Sequence, residues 1–173
     1  MPPRVVLVGL PGTGKSTVGI ALARRLAVAF ADSDKLVARQ TGRSVSEIFR
    51  LQGEPVFRQL EADMIAEVLV SFDGVLALGG GAVTTESVRQ GLLGSGVLVA
   101  HLRARQDELL RRVSGGRHRR PLLAGDTAAR LAELAEVRAR LYAEVASVSI
   151  DTDGRSVDEV AAALHGQLIG QPS

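Results

Sequence analysis

The stretch "GLPGTGKST", residues 9–17, is the strongest indication of fold in the sequence. It fits the pattern G-x-x-x-x-G-K-S/T, it ends the apolar run "RVVLVGL", and it opens a helical pattern over residues 15–27. Glycines in such a loop let backbone N–H groups and the helix N-terminus surround phosphates, while Lys15 reaches the β- and γ-phosphates and the Ser16 hydroxyl binds Mg²⁺. The stretch therefore predicts a phosphate-binding loop (P-loop) for a nucleoside triphosphate. A glycine-rich turn that binds nothing is the alternative.

Short apolar runs recur along the chain, and helical patterns separate them. They are "RVVLVGL" at 4–10, "VAF" at 28–30, "GVLALGGG" at 74–81, "GVLVAHL" at 96–102 and "SVSID" at 147–151. Continuous apolar runs are typical of parallel strands buried on both faces. Two capping boxes, Ser44 with Glu47 and Ser156 with Glu159, predict helix starts. The order predicts an α/β fold, a parallel sheet covered by helices, in a single domain over residues 1–173.

Composition narrows the function classes. The sequence pI is about 9.6, but the formal net charge is only +2, and the only lysines are Lys15 and Lys35. Aromatic residues make up 3% of the chain, which leaves few platforms for base stacking and argues against a nucleic-acid partner. Cysteine is absent, so disulfides and thiolate metal sites are excluded. The N-terminal apolar run is too short for a signal peptide and no run approaches membrane length, so we expect a cytoplasmic protein without a membrane partner.

Two carboxylates follow the second apolar run in "ADSDK", residues 31–35. If the strand continues through this segment, Asp32 and Asp34 point the same way from its carboxyl end, where ligands of such sheets gather. One carboxylate would support Mg²⁺ and the other would accept a proton from an attacking hydroxyl. The alternative is a solvated turn that caps the next helix.

Seven motifs together resemble those of the shikimate kinase family across nearly the whole chain. They are "GLPGTGKST", "DSD", "TGRSVSEIF", "GEPVFRQLE", "LGGGAV", "RRPLLAG" and "RARLY". The resemblance implies a P-loop three-layer α/β/α fold with a five-stranded parallel sheet. It also implies transfer of the ATP γ-phosphate to the 3-hydroxyl of shikimate, with Mg²⁺, in the pathway to chorismate and aromatic amino acids. We expect a monomer.

The resemblance also implies which residues form the site. Catalytic residues would be Lys15, Asp34 and Arg120, and Mg²⁺ would lie at Ser16 and Asp32. The nucleotide would contact Gly12, Thr13, Gly14, Lys15, Ser16, Thr17, Arg112, Arg120 and Arg155, with Arg112 and Arg155 beside the adenine. Shikimate would contact Asp34, Phe49, Phe57, Arg58, Gly79, Gly80, Gly81 and Arg138. A guanidinium group presents paired N–H donors that suit a planar carboxylate, and two such groups select an acid over a neutral polyol.

Each substrate contact has an alternative. Arg58 could form a surface ion pair with Glu61, and Arg138 could lie on a solvated helix face. A triple glycine at residues 79–81 could be only a flexible turn, and the two phenylalanines could be core residues.

The segment "SGGRHRRPLLAGDT", residues 114–127, interrupts the pattern of elements. Glycine, proline and clustered arginine with little apolar content predict a long mobile loop. By resemblance it is an arginine-rich lid over residues 112–127, in which Arg120 closes over the phosphates and closure excludes water. His118 is expected to face solvent.

Two rival functions remain open at this point. A kinase of similar fold acting on gluconate or a nucleoside monophosphate would share the P-loop, and the paired arginines with "LGGG" favour a small carboxylate instead. An ATP-dependent regulatory or nucleic-acid-binding module would not need a base at Asp34, and it would bind oligonucleotides with a steep salt dependence.

Overall fold

A central sheet of five parallel strands organises the chain. The computed structural model describes residues 1–114 and 126–170. The strands are β1 (Val5–Val8), β2 (Ala29–Asp32), β3 (Gly74–Ala77), β4 (Leu98–Arg103) and β5 (Val148–Asp151). Their order across the sheet is β2-β3-β1-β4-β5, and every neighbouring pair is parallel. The predicted five-stranded parallel sheet is therefore confirmed.

Helices connect the strands and cover both faces of the sheet. They are α1 (Lys15–Leu26), α2 (Ser33–Thr41), α3 (Val45–Gln52), α4 (Glu54–Ser71), α5 (Glu86–Ser95), α6 (Gln106–Ser114), α7 (Thr127–Val145) and α8 (Val157–Ile169), with a 3₁₀ turn at Ala82–Thr84. Both predicted capping boxes are present, because Ser44 and Ser156 each accept an N–H hydrogen bond from the glutamate three residues on. Within residues 1–114 and 126–170, no helix is both long enough and apolar enough to cross a membrane.

The middle strand shows why the fold has three layers. All four residues of β1 are buried. Val6 and Val8 belong to an apolar cluster with residues of α4, α5 and α7, whereas Val5 and Leu7 belong to a second cluster with residues of α1 and α8. Since side chains alternate along a strand, a continuous apolar run supplies both layers at once.

The observed boundaries correct one local prediction. β2 ends at Asp32, and Asp34 lies in the first turn of α2 rather than on an extended strand. The Asp32 carboxylate caps this helix by accepting hydrogen bonds from the N–H groups of Asp34 and Lys35. A carboxylate at the N-cap satisfies backbone donors that have no partner within the helix, and this favours an early helix start. The capping alternative is thus also correct for Asp32.

Candidate active site

The P-loop joins β1 to α1 and forms one wall of a cavity. Gly12 and Gly14 have φ angles of 88° and 90°, in the left-handed region that favours glycine. A Cβ atom on Gly12 would also lie 2.9 Å from the Val113 side chain. The loop therefore needs glycine at both positions to bring its N–H groups to the start of the helix, where an anion is stabilised.

Lys15 and Ser16 begin α1 beneath this loop. The buried Lys15 ammonium donates to the Gly9 and Leu10 carbonyl oxygens at 2.8 and 3.0 Å. The Ser16 hydroxyl donates to Asp32 Oδ2 at 2.7 Å. A serine hydroxyl and a carboxylate from two adjacent elements offer hard oxygen ligands, a donor set that fits Mg²⁺.

Asp34 lies beside the glycine turn (residues 79–81) that follows β3. A Cβ atom on Gly79 would lie 2.5 Å from Asp34 Oδ1 and 2.6 Å from Glu61 Oε1. The turn can approach both carboxyl groups only because Gly79 has no side chain. Asp34 also lines the cavity.

Two arginines, Arg58 and Arg138, also line the cavity. Arg58 on α4 donates to Glu61 Oε2 at 2.6 Å and to Glu54 Oε1 at 3.2 Å, and its guanidinium lies over the Phe57 ring at 5.2 Å. Arg138 on α7 is only 3% exposed, and its buried Nη1 atom has no hydrogen-bond partner among the residues that the structure describes. A buried guanidinium nitrogen without a partner is costly unless a ligand oxygen satisfies it. The solvated-face alternative for Arg138 is wrong.

Glu61 is a site residue that the sequence identified only as an alternative ion-pair partner. It is 1% exposed, and Ser33, itself fully buried, donates to its Oε1 at 3.4 Å. Burial raises the pKa of the Glu61 carboxyl to about 7, the Arg58 charge acts in the opposite direction, and the Asp34 carboxylate adds to the increase. The ion pair with Arg58 is therefore real but lies in the interior rather than on the surface.

The glycine turn is fixed from both sides. The Gly79 N–H donates to Ser33 Oγ at 2.9 Å, and the Tyr142 hydroxyl donates to the Gly80 carbonyl at 2.5 Å. The Gly81 Cα packs against the Arg58 guanidinium so closely that a Cβ atom there would overlap it. Hydrogen bonds and packing therefore fix the glycine turn in place, so it is not only a flexible connection.

Of the two arginines predicted to flank the adenine, Arg112 lines the cavity and Arg155 does not. Arg112 donates to the Gly12 carbonyl at 3.3 Å and to Thr152 Oγ1 at 3.0 Å, which attaches α6 to the P-loop. Arg155 instead donates to the Asp151 and Glu159 carbonyls and is not part of the cavity lining. Thr13 is buried with its hydroxyl on the Leu10 carbonyl, so its side chain also lies outside the lining. Arg120 and His118 lie outside the described residues.

One cavity of about 720 Å³ joins these groups. Of the predicted site residues, it is lined by Gly12, Gly14, Lys15, Ser16, Thr17, Asp32, Asp34, Phe49, Phe57, Arg58, Gly79, Gly80, Gly81, Arg112 and Arg138. The Phe49 and Phe57 rings pack against each other in a tilted arrangement, with centroids 5.0 Å apart and an interplanar angle of 44°. Phe57 also belongs to the apolar core, so it lines the cavity and packs in the core at once. Lys35, which the sequence did not assign to the site, lines the cavity as well.

Comparison with known proteins assigns the family. A sequence model of shikimate kinases matches residues 11–168. The chain belongs to the shikimate kinase family. The shikimate kinase of Mycobacterium tuberculosis (strain ATCC 25177 / H37Ra) is 44% identical over 169 residues, which cover 97% of this chain and 94% of that protein. The shikimate kinase from Acinetobacter baumannii, solved in complex with shikimate, has a TM-score of 0.91 and 34% identity over 98% of this chain and 93% of its own.

Membership of the shikimate kinase family confirms three of the predictions: the family, the P-loop α/β/α fold, and a phosphotransferase with ATP as co-substrate. A gluconokinase from Sinorhizobium meliloti also matches, with a TM-score of 0.66 at 21% identity. At that level of identity the likeness concerns the fold alone. The roles of individual residues remain predictions.

Proposed function

We propose that the protein transfers the γ-phosphoryl group of ATP to the 3-hydroxyl of shikimate, giving shikimate 3-phosphate and ADP in the route to chorismate. The observation that carries this assignment is the pairing, in one cavity, of a P-loop with the buried Arg138, whose Nη1 atom has no partner within residues 1–114 and 126–170. A P-loop alone supports many kinases. A buried cation in the same cavity selects an acceptor with a negative charge.

At the phosphate end, the chain's own groups bind and orient the nucleotide. The N–H groups of the P-loop and the Lys15 ammonium bind the phosphates. Thr17, in the first turn of α1, also contacts the nucleotide. Ser16 and Asp32 are the residues that would hold Mg²⁺, which neutralises charge on the phosphate oxygens when bound. We assign adenine contacts to Arg112, which reaches the P-loop from α6, and to Arg155, and we assign phosphate contacts to Arg120.

In the middle of the cavity, Asp34 orients the acceptor hydroxyl and is the group placed to accept its proton. Its position in the first turn of α2 follows from the Asp32 cap, so one short segment serves both the metal and the acceptor. Phosphoryl transfer has a loose transition state in most analyses, so positioning and electrostatics supply most of the catalysis.

At the acceptor end, Arg58 and Arg138 bind the shikimate carboxylate, and backbone N–H groups of the glycine turn add donors. Phe49 and Phe57 form an apolar wall for the ring. Glu61 and Glu54 hold Arg58 in place from α4. A planar carboxylate between two guanidinium forks is bound with defined orientation, which brings the hydroxyl to Asp34.

The first test is ADP release from MgATP with shikimate, gluconate and AMP as separate acceptors, beside a reaction without acceptor. We expect rapid turnover with shikimate alone. Rapid turnover with gluconate or AMP would replace the acceptor assignment, and slow hydrolysis independent of any acceptor would favour the regulatory module. Arg138→Met with shikimate is the matched variant, since it removes the carboxylate contact but leaves the P-loop intact.

We further propose that the enzyme acts as a cytoplasmic monomer that binds no nucleic acid. Sedimentation velocity should give a single species near the chain mass of 18.2 kDa. A gel-shift assay at physiological salt should detect no oligonucleotide complex, because the net charge is small and base-stacking residues are few.

A further inference from the structure

Tyr142, the only tyrosine of the chain, lies behind the cavity and not in its lining. It is on α7, it is 1% exposed, and its hydroxyl donates to the Gly80 carbonyl 62 residues earlier in the sequence. The simplest explanation is that Tyr142 is a core residue whose buried hydroxyl needs a hydrogen-bond partner. The geometry around the glycine turn indicates a more specific role.

The tyrosine ring is held from the sheet side as well as by its own helix. His101 on β4 stacks on it with ring centroids 4.8 Å apart and an interplanar angle of 29°. Burial raises the pKa of Tyr142 to about 12, and the charge of Arg138 and a side-chain hydrogen bond with it act in the opposite direction. Burial lowers the pKa of His101 to about 4. Both rings are therefore neutral near pH 7, and the tyrosine hydroxyl is a fixed hydrogen-bond donor.

The acceptor of this bond belongs to the peptide group between Gly80 and Gly81. In a trans peptide, the carbonyl and the following N–H point in opposite directions, so a bond that fixes the Gly80 oxygen also fixes the Gly81 N–H. Glycine on both sides makes rotation of this peptide inexpensive. On the other side of the turn, a Cβ atom on Gly80 would lie 3.0 Å from Pro11, so the turn lies between the P-loop and Tyr142.

Arg138 lies one helical turn before Tyr142 on α7, and residues four apart lie on the same helix face. Helix α7 thus supplies both the buried guanidinium of Arg138 and the hydroxyl that fixes the peptide. We propose that Tyr142 is a positioning residue: by holding the Gly80–Gly81 peptide, it keeps the Gly81 N–H in register with Arg138, so that both donate to the acceptor carboxylate. This inference rests on the proposed function.

The test is the variant Tyr142→Phe, which keeps the ring and its stacking on His101 and removes only the hydroxyl. Steady-state rates are measured with shikimate and with its neutral primary amide. We expect KM for shikimate to rise about five- to tenfold, roughly the contribution of one hydrogen bond, with KM for ATP within twofold. The preference for the carboxylate over the amide should fall by a similar factor.

Ser95→Ala is the matched control, because it also removes a hydroxyl-to-carbonyl hydrogen bond, to Leu92 at 2.8 Å, but away from the cavity. It should change no kinetic constant. An unchanged KM for shikimate and an unchanged carboxylate preference in Tyr142→Phe would overturn the inference, even if the variant melts at a lower temperature. Absence of shikimate turnover in the native protein would instead remove the proposed function itself.

A second variant covers the case in which Tyr142→Phe does not fold. Since the chain has one tyrosine, growth on a polyfluorinated tyrosine places a more acidic phenol at this position alone. Ionisation would turn the donor into an anion facing the Gly80 carbonyl, so KM for shikimate should rise with pH in the fluorinated protein only. Identical pH profiles of KM in the two proteins would count against the positioning role.

Discussion

Asp34 is the residue on which the acceptor chemistry depends. We expect Asp34→Asn to lower kcat by about 10² to 10⁴, the usual contribution of a positioned acid or base, with little change in affinity for a non-hydrolysable ATP analogue. Steady-state kinetics and calorimetric titration measure the two quantities. Asp63→Asn, an exposed carboxylate on α4 that accepts a hydrogen bond from Gln59, is the control. Undiminished activity in Asp34→Asn would refute the role as a base.

Glu61 makes stability depend on pH. Its folded-state pKa of about 7 lies above the ordinary value of 4.5, so the native protein binds more protons than the unfolded chain between those pH values. The contribution of Glu61 to the free energy of unfolding is therefore fully present below about pH 4.5 and is lost as pH rises through about 7. The change is a few kcal/mol at most.

Urea unfolding across this pH range tests the effect. The free energy of unfolding of the native protein should fall with pH relative to that of Glu61→Gln, which cannot ionise. Glu67→Gln, at an exposed position of the same helix, should follow the native curve. Parallel curves for native and Glu61→Gln proteins would mean that Glu61 is already ionised at low pH.

At the scale of elements, the glycine turn determines where Arg58 lies. Gly81 has φ and ψ of −95° and −4°, which alanine tolerates, and the atoms nearest to a methyl group there belong to the guanidinium of Arg58. We expect Gly81→Ala to displace Arg58 and raise KM for shikimate about tenfold or more, with KM for ATP within twofold.

A control for this variant exists on the next helix. Gly94 in α5 has open space where its Cβ would be, so Gly94→Ala should leave the kinetics unchanged and stabilise the protein by up to about 1 kcal/mol through helix propensity. Equal kinetic constants in Gly81→Ala and the native protein would show that Arg58 can bind the acceptor from another position.

The elements that the sequence predicted well are those with local signals. Strand β1, the start of α1 and the two capping boxes depend on neighbouring residues, and each was predicted within a few residues. The placement of Asp34 on an extended strand was wrong. The prediction continued the strand past Asp32, whereas the strand ends there because Asp32 is the N-cap of α2.

Residues whose role depends on distant partners were the hardest to predict. Tyr142 and Gly80 are 62 residues apart, and the approach of Ser33 to Gly79 spans 46. Sequence periodicity does not report such pairs. The available signal for Tyr142 was its spacing of four residues from Arg138 on a helix, which identifies a shared face but not a partner.

For the whole molecule, strand order brings the site together. β3 lies between β2 and β1, so the carboxyl ends of three adjacent strands deliver the aspartate segment, the glycine turn and the P-loop to one edge of the sheet. Parallel strands place all these ends on the same side, which is where ligands of open α/β sheets bind. All three segments that line the candidate site therefore come from one sheet edge.

The same arrangement predicts how ligands stabilise the fold. A ligand present at 100 times its dissociation constant stabilises the native state by about 2.7 kcal/mol, or roughly 5–10 °C in melting temperature for a chain of this size. We expect shikimate and ATP each to produce such a shift, measured by thermal unfolding. Arg138→Met should lose only the shikimate shift, and Lys15→Met only the ATP shift.

Arg138→Met should also melt, without ligand, at the same temperature as the native protein or higher. A buried Nη1 atom with no partner in the described part of the chain costs desolvation energy that the fold does not recover by itself, whereas an uncharged methionine, although shorter, avoids that cost. Arg140→Met, at an exposed position of the same helix, is the control and should keep both ligand shifts. If the melting temperature of unliganded Arg138→Met fell by several degrees, Arg138 would be shown to stabilise the fold. Its Nη1 atom would then not be explained as a binding group for a carboxylate.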